Sequence, residues 1–236
     1  ETRVPLFEQA VEVGSPKHRR VTLGNDYIGA SLFECFRENL EAYPVLVPVD
    51  LADSTEALAH LRFHNGTIWR WNRPLIGVEQ PPHLRIEHRV VPAGPSVTDC
   101  IVNVAFFYGL MEYWTANYES LSEQLDFATV RHNFYTCARK GLDAEIKWLD
   151  GYEGSVSELL LQRLLPEARQ GLQQLGIRTQ DIENYLGIME QRIARGRNGA
   201  SWQRAWVAKY GRDMQALTRA YQERQDSGLP VSEWPL

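Results

Sequence analysis

Residues 83–91 alternate between apolar and charged side chains in the order His-Leu-Arg-Ile-Glu-His-Arg-Val-Val. A period of two is typical of a β-strand, in which successive side chains point to opposite faces of the sheet. The apolar residues then share one face, and Arg85, Glu87 and Arg89 share the other. A carboxylate between two guanidiniums stays ionised and is held in place. Such a row suits a site for a metal ion, a phosphate or a carboxylate, but on this pattern alone a charged face that meets water is the more usual outcome.

A second segment, residues 64–77, also has the composition of a strand because β-branched and aromatic residues dominate its centre. Prolines fall in the connection at residues 78–82, where a missing backbone donor is tolerated. The two segments therefore predict an antiparallel hairpin. Pairing would bring Arg70, Asn72 or Arg73 close to the charged row, and the register, which the sequence does not fix, decides which of them.

The chain changes character after a Pro- and Gly-rich turn, which predicts an α+β protein in two parts. Residues 1–97 form a partial α+β catalytic region whose antiparallel sheet includes the hairpin near residues 64–91. Residues 98–236 form a helical region that packs on the sheet, and its first helix, 98–117, is apolar almost all round and is expected to be buried. A lone hairpin is marginal in water, and the chain starts at Glu1 without a methionine, so we expect a fragment.

Hydrophobic periodicity and glycine breaks predict the other elements. A first helix spans residues 26–43 and precedes an extended, buried segment at residues 45–49. A short helix begins at Ser54 or Thr55 and ends at His60. The later helices are predicted at residues 119–140, 155–175, 179–195 and 200–226.

Composition excludes several classes of function. The net charge is −5 and the longest basic run is residues 17–20, which we expect to be a solvated loop, so nothing indicates a nucleic-acid partner. No apolar run is long enough to span a membrane, and no secretory signal is visible. Cys35, Cys100 and Cys137 lie far apart, which favours reduced, buried thiols in a cytoplasmic protein and no zinc site. The oligomeric state stays open, and a homo-oligomer is compatible with the sequence.

Together the two strands resemble a known family. The run His-Asn-Gly-Thr-Ile-Trp-Arg-Trp-Asn-Arg-Pro at 64–74, then Leu-Arg-Ile-Glu-His-Arg-Val at 84–90 and Ala-Gly-Pro-Ser at 93–96, is similar to the glutamate–cysteine ligase family. The similarity is to its bacterial carboxylate–amine ligase-like branch and, more distantly, to glutamine synthetase. It covers most of residues 20–236. It implies the C-terminal portion of a glutamine synthetase-like fold, in which an antiparallel sheet cups the active site and helices pack behind it.

The resemblance also implies an activity. Members of the family use ATP to phosphorylate the γ-carboxylate of glutamate, and an amine such as cysteine then displaces the phosphate, as in glutathione biosynthesis. Mg²⁺ or Mn²⁺ bridges the ATP phosphates and the acyl phosphate. The small-molecule substrates would thus be glutamate, ATP and an amine whose identity the sequence does not reveal.

By the same resemblance, Glu87 binds one of the metal ions. Arg89 and Arg73 are the catalytic residues, since they match arginines that contact the transferring phosphate or the substrate carboxylate. Fixed guanidiniums stabilise charge that develops on phosphoryl oxygens. The remaining predicted site residues bind substrate or phosphate: Arg70, Arg85, Asn65 and His64.

One departure from the family keeps alternatives open. The family has several acidic metal ligands on earlier strands, and none is recognisable here. Glu34 and Glu38, for example, fit the outward face of the first helix. The chain could therefore be a non-catalytic relative that binds a nucleotide or an amino acid, or an inactive fragment. A third hypothesis is a purely structural or interaction module.

Overall fold

A computed structural model describes residues 3–12, 19–51 and 54–236. The chain is confirmed as α+β, with a mostly helical C-terminal region. It divides into two compact units, of which the first contains the described residues up to Pro92 together with Asp126–His132. The second contains Ala93–Leu125 and Asn133–Leu236.

In its described residues, the first unit combines short helices with two pairs of strands. Its helices are α1 (Arg3–Ala10), α2 (Phe33–Ala42) and α3 (Ala59–Gly66), with a 3₁₀ turn at Thr55–Ala57. Its strands are β1 (Val21–Thr22), β2 (Trp69–Arg70), β3 (Asn72–Gly77) and β4 (His83–His88). β1 pairs with β2 in parallel, and β3 pairs with β4 in antiparallel fashion.

The predicted antiparallel hairpin is formed by β3 and β4. Its register pairs Arg73 with Glu87 and Asn72 with His88. Because directly opposed residues point to the same face of a sheet, Arg73 and Glu87 lie on one face of the hairpin. Asn72 and His88 lie on the other face. The register therefore decides which upstream residues meet the acidic side chain.

The hairpin starts later than predicted, because residues 64–66 belong to α3. His64 and Asn65 are thus helical and not part of a strand. The reason is tertiary: the Asn65 side chain, 3% exposed, donates to the Pro74 carbonyl oxygen at 2.9 Å. The Thr67 hydroxyl donates to the His64 carbonyl oxygen at 2.8 Å and helps to end the helix.

The first helix is also shorter than predicted, since α2 begins at Phe33. The carboxylate of Glu34 accepts hydrogen bonds from the backbone N–H groups of Gly29, Ala30 and Ser31 at 2.7–3.1 Å. These bonds hold the preceding residues in a loop, an alternative to helix that acidic side chains often offer to the backbone.

Two other expectations for this unit were wrong. Residues 45–49 form an exposed loop and not a buried extended segment. Pro44 and Pro48 lack backbone donors, which disfavours a strand ladder there. In the basic run, residues 17–18 lie outside the described residues, whereas Arg20 is 1% exposed and donates to the Thr67 hydroxyl at 3.1 Å.

The second unit is mainly helical. Its helices are α4 (Val97–Asn117), the end of α5 (Phe127–Lys140), α6 (Val156–Leu159), α7 (Leu165–Gln174), α8 (Thr179–Ala194), α9 (Gly199–Tyr210) and α10 (Met214–Asp226). A π-helical turn at Leu160–Leu164 joins α6 to α7, and 3₁₀ turns lie at Gly141–Asp143, Leu149–Gly151 and Val231–Glu233. A small antiparallel hairpin of β5 (Glu145–Lys147) and β6 (Glu153–Ser155) was not predicted.

The packing of α4 against α7 depends on glycines. A Cβ atom on Gly109 would overlap the backbone of Ala168, and one on Gly171 would overlap the backbone of Gly109. The two helix backbones can therefore approach closely only because these positions lack side chains. Around this crossing the core is built from aliphatic residues that include Leu172 and Leu186.

The opposite face of α4 is apolar and exposed, so the predicted burial of the whole helix was wrong. The exposed side chains on this face are Val97, Ile101, Val104, Tyr108 and Met111. Their alternating spacing of four and three residues places them on one stripe of the helix. Within the described ranges no helix has the length and apolarity to cross a membrane.

Candidate functional site

Glu87 lies between two guanidiniums on one face of the β3–β4 hairpin. Its Oε2 atom is 2.8 Å from Nη2 and 3.1 Å from Nε of Arg73, and 3.6 Å from Nη1 of Arg89. The pairing of Arg73 opposite Glu87 across the strands makes the shorter contacts possible. We call Arg73, Glu87 and Arg89 the arginine–glutamate cluster. It has two positive charges for one negative charge, so it carries a surplus positive charge.

Burial holds the arginines of this cluster in place. The side chains of Arg73 and Arg89 are 16% and 14% exposed, whereas that of Glu87 is 40% exposed. The Arg89 guanidinium lies 3.5 Å from the centre of the Trp69 ring, a cation–π arrangement. On α1, Phe7 stacks on the same tryptophan at 3.9 Å.

The electrostatics agree with a surplus positive charge. Burial lowers the pKa of Arg89 from its usual value, and the nearby charge of Arg73 lowers it further, while Glu87 opposes the shift. The Nη1 atom of Arg89 is buried and makes no hydrogen bond within the described part of the chain. An arrangement of this kind favours an anion with oxygen atoms, such as a phosphate or a carboxylate.

A divalent cation fits the cluster only through one atom. All described contacts of Glu87 are made by Oε2, which leaves Oε1 as an oxygen that a metal ion could use. Among the residues that the structure describes, no group of three or more His, Cys, Asp or Glu side chains is placed to hold a metal ion. Mg²⁺ is often held by one or two carboxylates together with substrate phosphates and water. A cation at Oε1 would therefore depend on the phosphates of a nucleotide.

Arg85 is not part of the cluster. It shares a face of β4 with Glu87 but is exposed, and its Nη1 atom forms a 2.8 Å hydrogen bond with Nε2 of His83 instead of contacting the carboxylate. The predicted row of Arg85, Glu87 and Arg89 is thus replaced by a cluster in which the upstream strand supplies the second guanidinium.

Arg70 lies away from the cluster, in a polar network with α2. Its Nη2 atom donates to Glu38 at 2.6 Å and to the Asn39 side-chain oxygen at 2.9 Å. Asn39 in turn donates to Asn65, and Nε2 of His64 lies 2.9 Å from the Asn39 carbonyl oxygen. The predicted residues Arg70, Asn65 and His64 therefore come together, but in this buried network and not beside Glu87.

Sequence reasoning missed Glu38 and Asn39. The predicted helix placed Glu38 on its outward face, whereas the structure turns it toward Arg70. Asn39 is completely buried and joins α2 to α3. No local sequence pattern marks an asparagine in a helix as buried. The one signal in the sequence was the adjacent Glu-Asn pair, two polar residues next to each other in an amphipathic helix.

A cavity of about 430 Å³ lies beside Arg70. Residues 23–28, the start of α2, Arg70, Asn72 and the first turn of α5 line it, and all of them belong to the first unit. Burial raises the pKa of the Cys35 thiol at its wall, so this cysteine is a poor nucleophile at neutral pH. The three cysteines are free and half-buried.

Comparison with known proteins does not assign the site: no protein-family model matches the chain, and no curated protein matches it. The similarity to the glutamate–cysteine ligase family therefore stays a prediction, and it depends on the residues of the two paired strands.

Proposed function

We propose that this chain acts as an ATP-dependent carboxylate–amine ligase of the glutamate–cysteine ligase type. In this proposal the γ-carboxylate of glutamate is activated as an acyl phosphate, and an amine such as cysteine displaces the phosphate. The observation that carries the proposal is the arginine–glutamate cluster, in which one carboxylate orients two buried guanidiniums. We propose the cytoplasm as the site of this reaction.

The cluster would act on the phosphoryl group that is transferred. Phosphoryl transfer concentrates negative charge on oxygen atoms, and fixed guanidiniums stabilise that charge without having to reorganise. Glu87 holds both Arg73 and Arg89, and the Trp69 ring also holds Arg89, so their positions are set before a substrate binds. Glu87 would act as the residue that positions both of them.

The family implies Mg²⁺ or Mn²⁺ together with ATP, and Glu87 Oε1 is the atom that would contribute to its binding. Such an ion would neutralise charge on the phosphate oxygens when the nucleotide is bound. The neighbouring guanidiniums repel a free cation, so the nucleotide would have to supply most of its ligands.

The test is release of ADP from ATP with glutamate and a panel of amines that includes cysteine. The proposal predicts ADP release that requires both glutamate and an amine. It also predicts a roughly 100-fold loss of rate for Arg89→Gln, because a preorganised donor to the transferring group is removed. Arg62→Gln, an exposed arginine on α3, is the control and is expected to keep the wild-type rate.

Two results would replace the proposal with an alternative. Calorimetric binding of Mg-ATP without ADP release under any condition would favour the non-catalytic relative. Two guanidiniums already occupy Glu87 Oε2, and this observation supports that alternative because it leaves only one oxygen for a metal ion. Wild-type affinity for Mg-ATP in a protein with both Arg73→Ala and Arg89→Ala would remove the cluster from nucleotide binding altogether.

A further inference from the structure

We propose that the cavity beside Arg70 binds a free α-amino acid with an apolar side chain. The cavity is lined by Arg70 and Asn72. Because Asn72 pairs with His88, it points to the hairpin face opposite Arg73 and Glu87. A molecule bound there is not a reactant at the arginine–glutamate cluster, so this ligand lies beyond the proposed ligase reaction.

One end of the cavity offers hydrogen-bond donors to a carboxylate. The Arg70 side chain is 6% exposed and is anchored through Nη2 by Glu38 and Asn39. Its Nε is buried without a partner, and its Nη1 takes no part in the described hydrogen bonds. The guanidinium is fixed through Nη2 and lines the cavity, and its Nη1 is the donor that a carboxylate would meet.

Asn72 adds a second donor at this end. Its side-chain oxygen accepts a hydrogen bond of 2.8 Å from Nδ1 of His88, which fixes the orientation of the amide. The amide Nδ2 then remains available as a donor. Burial lowers the pKa of His88, so this imidazole is neutral at pH 7 and adds no charge to the cavity.

The loop at residues 23–28 offers acceptors to an ammonium group. Oδ1 of Asp26 accepts a hydrogen bond from the backbone of Tyr27 at 2.8 Å, and Oδ2 has no partner in the described ranges. Asn25 donates through Nδ2 to Glu38, which leaves its side-chain oxygen as an acceptor. The donors therefore come from β2 and β3, and the acceptors come from the loop. This separation suits a zwitterion, whose carboxylate and ammonium groups need opposite partners.

The charge and the walls of the cavity restrict the side chain of the ligand. Asp26, Glu34 and Glu38 give three negative charges against the single positive charge of Arg70. This surplus disfavours a second carboxylate, and hence disfavours glutamate and nucleotides. Apolar wall comes from Leu23, Ile28, Val130 and the edge-to-face pair of Tyr27 and Phe127, whose ring centres are 5.3 Å apart.

The size of the cavity agrees with this class of ligand. Its volume of about 430 Å³ falls in the lower part of the range for small-molecule sites, about 300–1,000 Å³. A branched aliphatic or aromatic amino acid fits in this space, with its polar ends at the donors and acceptors and its side chain against the apolar wall.

Calorimetric titration of the whole chain with phenylalanine and leucine tests the proposal. Analogues of the ligand serve as controls, so that this test does not depend on the folding of a protein variant. N-acetylphenylalanine lacks the ammonium group, phenylalanine amide lacks the carboxylate, and glutamate adds a second acid. We expect phenylalanine or leucine to bind, the two phenylalanine analogues to bind at least tenfold more weakly, and glutamate not to displace bound phenylalanine. Absence of binding by both amino acids, or equal binding of phenylalanine and its two analogues, would overturn the proposal.

Variants and a thiol reaction locate the site. Asp26→Asn and Asn72→Asp are each expected to weaken phenylalanine binding about tenfold, whereas the control Arg62→Gln leaves it unchanged. Saturating phenylalanine should also slow alkylation of Cys35, which lines the cavity, by several-fold, and leave Cys137 unaffected. Binding with equal alkylation rates at Cys35 would place the ligand elsewhere and contradict the proposal. Loss of glutamate-dependent ADP release would contradict only the ligase function.

Discussion

Replacement of Glu87 by glutamine tests whether the arginine–glutamate cluster holds the hairpin together. The substitution keeps the shape of the side chain and removes the charge that faces two guanidiniums at 2.8 Å and 3.6 Å. Exposed ion pairs contribute about 0.2–1 kcal/mol, and removal of one partner from a buried pair costs about 3–5 kcal/mol. Both arginines are largely buried, but Glu87 is 40% exposed and partly screened by solvent. We therefore expect Glu87→Gln to lower the free energy of unfolding by about 1–2 kcal/mol.

Urea denaturation at pH 7 measures this loss, with Glu8→Gln as a control in the same unit. Glu8 pairs with Arg19 at 3.6 Å, and that arginine side chain is 65% exposed. Its substitution is expected to cost less than about 0.5 kcal/mol. A loss for Glu87→Gln that is no larger than the loss for Glu8→Gln would refute the argument that burial of the arginines makes this carboxylate important for stability.

Three further predictions concern the helix crossing, the α2 loop and the metal ion. Gly109→Ala should lower the free energy of unfolding by about 2–4 kcal/mol in urea titrations, since its Cβ would overlap the Ala168 backbone; Gly187→Ala, whose Cβ meets no atom within 4 Å, should be neutral or stabilising. Three backbone N–H donors lower the pKa of Glu34, so its contribution to stability is present above about pH 4.3 and is lost as the pH falls through the lowered pKa. The difference in urea midpoint between wild type and Glu34→Gln should accordingly shrink to zero in acid, and a difference that stays constant from pH 6 to pH 3 would contradict this. Calorimetry should detect no binding of Mg²⁺ or Mn²⁺ in the absence of ATP, because Glu87 offers a metal ion only one oxygen and the described residues hold no cluster of metal ligands. Saturable binding of either ion without ATP would contradict this.

The hairpin could be predicted from the sequence because its signal is local. Alternation at residues 83–91 fixes which side chains share a face of β4, whichever strand lies beside it. The partner of Glu87 could not be predicted, because the register depends on the loop between the strands. The structure consequently replaces Arg85 with Arg73 as the second guanidinium.

The predictions that failed depended on contacts between residues distant in sequence. His64 and Asn65 looked like the start of a strand, but Asn39 binds them from another helix. Helical periodicity placed Glu38 on the outward face of the helix, whereas in the structure its carboxylate forms an ion pair with Arg70. In the second unit, the composition of α4 indicated burial on all sides, and its crossing with α7 buries only one. The cavity joins residues 23–28 to the start of α5, and no local pattern connects them.

The most direct test of the proposed function is to trap the acyl phosphate with hydroxylamine. Hydroxylamine reacts with an activated γ-carboxylate, so glutamyl hydroxamate forms only where glutamate has been phosphorylated. We expect hydroxamate in the presence of Mg-ATP and glutamate, and about 100-fold less with Arg89→Gln than with Arg62→Gln. Absence of hydroxamate from a wild-type protein that binds Mg-ATP, or equal yields from the two variants, would contradict it.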